Sequence, residues 1–267
     1  MKEFSGVFYR EWAAKDPKAI LLLVHGLGAH SKRWDFLGEF FLREDLSSYA
    51  IELRGFGETK ELRGYIDSLG TYLDDIKTLR DKIIKENPDK KIFLIGESMG
   101  ALLALLIAGE EKRLFDGVVC VSPALKSRIK FSLAEYIHIF SSFVRHPKEQ
   151  VMMRFDSLMC TRDKEYRKIM DSDPREHRLA TLRLLVNLAV AQLKIGALKN
   201  KIKTPLLFLI AGEDKIVDPG SSKRFFNKIK LDDKKIILYP EMYHALSIDI
   251  GKESVFNDTL NWIKERL

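Results

Sequence analysis

Six short apolar runs recur along the chain, each closing in turn residues: AILLLVHG (19–26), YAIEL (49–53), KIFLIGE (91–97), GVVCVSP (117–123), PLLFLIAGE (205–213) and KIILYP (235–240). They are rich in Ile, Leu and Val without polar alternation, the mark of strands buried on both faces. Helical periodicity fills most of the intervals. In LGTYLDDIKTLRDKIIKEN, Leu69, Tyr72, Leu73, Ile76, Leu79, Ile83 and Ile84 fall on one face. Val255, Phe256, Leu260, Trp262 and Ile263 do the same in the final stretch, ESVFNDTLNWIKERL. Strands alternating with helices predict an α/β fold with a mostly parallel sheet covered on both sides.

The rhythm stops between Pro123 and Pro205, where roughly 80 residues pass without a buried strand, far beyond an ordinary connection. That stretch reads as helical. Ser132 and Glu135 form a capping-box pattern, opening a helix that should end before Pro147. Its apolar face carries Leu133, Tyr136, Ile137, Phe140, Phe143 and Val144, and is expected to roof a tunnel. A second helix, around LATLRLLVNLAVAQLKIG, spaces Leu182, Leu185, Leu188 and Ala189 similarly. The expected organisation is a core of residues 1–123 and 205–267, with a helical cap at 124–204 inserted over the carboxyl ends of the strands. The plainer alternative is helices packed on the sheet.

The 267 residues are 46% apolar, enough for a packed core and outside the range of disordered chains. The two cysteines, Cys120 and Cys160, make no disulfide framework and point to a reducing interior. MKEFSGVFYREW has no apolar stretch like a signal sequence, and no window approaches the roughly 18 apolar residues of a membrane span. The expectation is a soluble, cytoplasmic protein. The net charge of +7 is unevenly placed: residues 124–203 hold 17 Lys and Arg against 8 Asp and Glu, out of 45 and 38 in the whole chain. That surplus fits transient contact with anionic lipid or acidic substrates, or simply a lysine-rich solvated surface. Nothing resembles a nucleic-acid recognition motif.

Ligands of open parallel sheets bind beyond the carboxyl ends of the strands, so residues just after each run carry most of the chemistry. Gly96-Glu97-Ser98-Met99-Gly100 follows KIFLI and precedes the helical ALLALLIAG, the strand–turn–helix setting of a nucleophile elbow. A serine hydroxyl needs a base, and of six histidines His244 alone follows the last predicted strand. Asp214, after PLLFLIAGE, is placed to orient that histidine. Asp218 is a rival acid, although Asp218-Pro219 also reads as a helix N-cap. Backbone amides of Met99, at a helix start, and Leu27, in the loop His25-Gly26-Leu27-Gly28, are the expected oxyanion donors. His25 is expected to brace its loop.

With these residues in place, the chain resembles the α/β-hydrolases of the monoacylglycerol lipase and lysophospholipase group. The matching stretches are HGLGAHSKRW (25–34), ELRGFGETK (52–60), RGYIDSLGTYLDDI (63–76), GESMGA (96–101), SPAL (122–125), AGEDKIVDP (211–219) and MYHAL (242–246). The resemblance implies the α/β-hydrolase fold and serine-ester hydrolysis of a single-chain lipid such as a monoacylglycerol. It also implies an acyl-enzyme and no metal or organic cofactor. Ser98, Asp214 and His244 fall in the chain order of that fold's triad. Three positions depart from the group: Glu52 where aspartate is usual, Glu97 where histidine is frequent, and Ala101 where a third glycine stands.

Three readings stay open on the sequence. The first is hydrolysis of monoacylglycerols or similar lipid monoesters. The second is a general short- or medium-chain carboxylesterase or a thioesterase. The third is a non-catalytic ligand-binding module on the same fold, against which stands the presence of all three triad residues.

Overall fold

The computed structural model describes residues 1–267. Ten strands form: β1 (Lys2–Phe4), β2 (Val7–Trp12), β3 (Ala19–Val24), β4 (Leu46–Glu52), β5 (Ile92–Glu97), β6 (Gly117–Val121), β7 (Gln150–Met152), β8 (Leu179–Thr181), β9 (Leu206–Ala211) and β10 (Lys234–Tyr239). Nine α-helices accompany them: α1 (Asp35–Leu42), α2 (Leu69–Glu86), α3 (Met99–Glu110), α4 (Leu133–Arg145), α5 (Ser157–Cys160), α6 (Lys164–Ser172), α7 (Leu182–Leu198), α8 (Pro219–Lys228) and α9 (Lys252–Lys264).

Eight strands make one sheet in the order β1-β2-β4-β3-β5-β6-β9-β10. All neighbours from β4 to β10 run parallel, and β1 and β2 join antiparallel at one edge. Every residue of β3, β4, β5, β6 and β9 is buried, which accounts for their unbroken apolar runs. Edge strand β10 is only half covered. One face of the sheet packs a cluster of 40 buried residues with α2, α3 and α7, and the other a cluster of 23 with α1 and α9. The sheet is therefore coated on both sides, the α/β-hydrolase architecture.

From β3 the chain moves outward to β4, then returns to lay β5 on the other flank of β3. The loops after β3 and β5 thus leave the sheet at its topological switch point, where a crevice opens beyond the strand ends.

Residues 124–204 contribute no strand to this sheet. They carry α4 to α7 and, against the all-helical expectation, a two-stranded antiparallel ribbon of β7 and β8. Three-residue strands have too short a pattern to register as a run. The capping box at the start of α4 forms, with Glu135 N–H donating to Ser132 Oγ and Ser132 N–H to Glu135 Oε2. The expected apolar face is covered along one edge only: Tyr136 and Phe140 line a cavity, and the rest of the stripe is open. Ile139 is the buried residue of α4, while Leu133, Ile137 and Val144 are 76%, 60% and 79% exposed. Amphipathic spacing shows that a face needs a partner without saying which partner it meets. No helix is long and apolar enough to cross a membrane.

Candidate functional site

Ser98 occupies the turn between β5 and α3 at φ 56° and ψ −113°, a left-handed backbone that is costly for a residue with a β-carbon. The flanking glycines make the turn feasible. A β-carbon on Gly96 would overlap the carbonyl of Gly100, and one on Gly100 would overlap that of Val24. The turn is pinned by Ser98 N–H donating to Val121 O (2.8 Å), and by Leu102 and Ala124 N–H donating to Ser98 O (3.1 Å each).

His244 lies in the loop after β10 and Asp214 in the loop after β9; they are 5% and 1% exposed. His244 Nδ1 lies 2.7 Å from Asp214 Oδ2. Asp214 Oδ1 accepts from the amides of Ile216 (2.8 Å) and Val217 (2.9 Å), so the carboxylate is fixed at both oxygens. A carboxylate at Nδ1 places the proton there and leaves the Nε2 lone pair free. Burial works to lower the imidazole pKa, but the charge and hydrogen bond of Asp214, with Glu97 nearby, outweigh it and raise the pKa above its ordinary value. The rival acid does something else: Asp218 Oδ1 accepts from Gly220 N–H at 2.9 Å and caps α8, with Pro219 in its first turn.

Leu27 and Met99 border the same cavity as Ser98 and His244. Met99 opens α3, so its amide has no carbonyl a turn back to bond. Gly26 lets the two loops meet: a β-carbon there would stand 3.1 Å from Ser98 Cβ. His25 braces the loop. Its Nδ1 is 2.8 Å from Gly26 O, its Nε2 accepts from Leu53 N–H (3.1 Å), and burial pushes its pKa down to about 4. Neutral and doubly bonded, His25 has no free nitrogen for proton transfer.

The cavity has a volume of about 260 Å³. Seventeen of its 24 lining residues are hydrophobic, so the walls are apolar with polar groups at the serine end. Tyr136, Ile139 and Phe140 of α4 and Leu185 and Leu188 of α7 supply much of the wall. Glu97 is the one carboxylate on it. It is buried, which raises its pKa, and it accepts from both Ser247 N–H (3.2 Å) and Ser247 Oγ (3.1 Å). Glu52, the other acid departing from the group pattern, accepts from Ser31 N–H at 3.2 Å and stays clear of the cavity.

One supporting contact escaped the sequence reading. Arg33, on the cavity wall, forms a two-pronged ion pair with Glu176, Nε–Oε1 at 2.8 Å and Nη2–Oε2 at 2.6 Å. His177 N–H donates to Gly28 O at 3.1 Å beside it. Together they tie the Leu27 loop to residues 124–204. With 143 positions between Arg33 and Glu176, no local spacing could have pointed to the pair.

Comparison with known proteins places the chain in a family. The family model described as serine aminopeptidase, S33, matches residues 15–251. The chain belongs to this family. Among curated relatives, the monoglyceride lipase of Mus musculus is 26% identical over 98% of this chain and 88% of its own. Phospholipase YtpA of Bacillus subtilis is 27% identical over 92% and 95%. Among solved structures, the monoacylglycerol lipase of Paleococcus ferrophilus superposes with a TM-score of 0.86 at 26% identity, covering 98% of this chain and 99% of that one. With the S33 family and these relatives goes the enzyme class: the protein is an ester hydrolase.

Proposed function

We propose that the protein hydrolyses lipid monoesters, monoacylglycerols foremost, through an acyl-enzyme on Ser98. The observation that carries this reading is the apolar cavity ending at Ser98 and His244. At about 260 Å³ it lies just below the usual range of ligand pockets and suits one acyl chain rather than the three of a triacylglycerol. Residues 124–204, as a lid, supply most of its walls.

In the proposed reaction, Ser98 Oγ attacks the ester carbonyl while His244 Nε2 takes the hydroxyl proton. The carbonyl electrons move to oxygen, and the resulting anion accepts from the Leu27 and Met99 amides. The tetrahedral adduct collapses by expelling the alcohol oxygen, which leaves with the proton returned by His244. Water, deprotonated by the same nitrogen, then attacks the acyl carbonyl; the second adduct collapses by breaking the bond to Ser98 Oγ, which takes back the proton from His244 as the fatty acid leaves. Asp214 keeps the imidazole in the required tautomer and stabilises its charged form.

The description of the family as aminopeptidases suggests peptide cleavage as a second reading. Holding a peptide's α-ammonium requires free carboxylates, and the cavity's one carboxylate, Glu97, is already bonded twice to Ser247. That favours the ester reading.

The exposed Leu133, Ile137 and Val144 of α4, within the basic segment, would bring the cavity to a lipid surface. Two buried free cysteines, Cys120 and Cys160, accord with a reducing, cytoplasmic setting.

The test is a substrate panel of monooleoylglycerol, trioleoylglycerol, acetyl to palmitoyl p-nitrophenyl esters, acyl-CoA and aminoacyl anilides. The expected result is glycerol release from monooleoylglycerol with medium or long chains preferred. Turnover confined to acetate and butyrate would mark a small-ester esterase, and preference for acyl-CoA a thioesterase.

A further inference from the structure

His244 is gripped on both sides. The amide before it, Tyr243 N–H, donates to Asp249 Oδ2 at 2.8 Å, and the amide after it, Ala245 N–H, donates to the carbonyl oxygen of Cys160 at 2.9 Å. Cys160 closes α5, in the 124–204 segment, whereas His244 belongs to the core.

Asp249 is the hub of this joint. It has no exposed surface, and both of its oxygens are occupied. Oδ1 accepts from Thr161 Oγ1 (3.0 Å) and Arg162 N–H (2.6 Å), while Oδ2 accepts from Arg162 Nε (3.0 Å) as well as from Tyr243. Thr161 Oγ1 also lies 3.2 Å from Ile248 O, and Arg162 Nη2 donates to Ile250 O. A carboxylate enclosed this way is tolerated because its donors replace the water it has lost. Those donors come from two distant stretches, Tyr243 in the histidine's own loop and Thr161–Arg162, with Thr161 88 positions from Asp249.

We propose that Asp249 is a positioning residue, locking the backbone that carries His244 to residues 160–162, so that the imidazole is in register only while that stretch is seated. The proposal rests on the reading of His244 as the base. The bond to Asp214 sets the ring's tautomer and tilt, and Asp249 sets where the loop beneath the ring lies. The acyl-binding walls on α4 and α7 take no part in this joint, and Cys160, which also lines the cavity, enters it through its backbone carbonyl alone, so substrate binding and chemistry should separate.

The experiment is steady-state hydrolysis of p-nitrophenyl decanoate by wild type, Asp249→Asn, Thr161→Val and the double variant, with fluorophosphonate labelling of Ser98 alongside. Asparagine keeps the shape but turns an N–H₂ toward one set of donors. Misplacing a reacting group by about 1 Å costs about 100-fold, so Asp249→Asn is expected to lower kcat on that scale with KM held within about twofold. Labelling should slow in step. Thr161→Val should cost less, and should add little on top of Asp249→Asn, because both break one joint.

Unchanged kcat in the variants, a KM rise matching the kcat loss, or effects that multiply would overturn the proposal. If Asp249→Asn does not fold, Thr161→Val decides alone, by whether kcat falls at constant KM. A wild type inert toward every ester would instead overturn the reading of the site, and the clamp with it.

Discussion

Asp214 Oδ2 lies 2.7 Å from His244 Nδ1, and both side chains are closed off from solvent. The pair makes the histidine a stronger base than it would be alone. His244 must be neutral to take the Ser98 proton, and its pKa is raised, so kcat/KM should climb with pH along a limb centred above the ordinary value of 6.5. Asp214→Asn removes the main charge that opposes burial. The limb should then move to lower pH, and kcat should fall about 10⁴-fold because the tautomer is no longer enforced. A pH–rate profile of the two proteins checks both the direction and the loss.

Gly100 meets Val24 too closely for any side chain. Gly100→Ala forces β5, α3 and the end of β3 apart, and should destabilise the fold by about 3 kcal/mol, at the upper end of overpacking costs. Denaturant unfolding measures this. The residual folded protein should also be nearly inactive, because the shift moves Ser98 relative to the Leu27 loop.

On α4, Ile137 and Val144 point away from the protein, and neither borders the cavity. Replacing both with glutamate should leave hydrolysis of a dissolved short-chain ester within about twofold, surface changes of this kind being nearly neutral for stability. Hydrolysis of monoacylglycerol in anionic vesicles should drop by about tenfold or more, since two apolar anchors are lost and two negative charges gained. Assays on dissolved ester, neutral vesicles and anionic vesicles separate the apolar from the electrostatic part.

How much of this could be read from the sequence followed from burial. Five of the six predicted strands, β3, β4, β5, β6 and β9, showed as apolar runs because parallel strands covered on both faces leave no polar alternation, and edge strand β10 kept a short apolar run, IILY, although only half covered. β1 escaped notice because Lys2–Phe4 is short and exposed throughout, β2 because Val7–Trp12 mixes charged with apolar residues and is only partly buried, and β7 and β8 because three residues make no pattern. The candidate site was legible for a related reason. Ser98, Asp214, His244 and Leu27 each follow the end of a strand, and Met99 opens the helix next in the chain, so topology gathers them on one rim. Glu176 and Asp249 had no such marker. Their partners are 143 and up to 88 residues away, and only the folded chain brings them together. The α4 face was read only in part, because spacing defines a stripe of residues but not which side of it meets the cavity: Tyr136 and Phe140 do, Leu133, Ile137 and Val144 do not.

The central claim is that Ser98 carries the acyl group, and the most direct measurement is the mass of the protein caught in turnover. Wild type and Ser98→Ala would be mixed briefly with p-nitrophenyl decanoate, quenched in acid and digested. The account predicts one decanoyl group on the wild-type peptide containing Ser98, and neither adduct nor p-nitrophenol release beyond background from the variant. An acyl group mapped to another residue, or hydrolysis undiminished in Ser98→Ala, would contradict it.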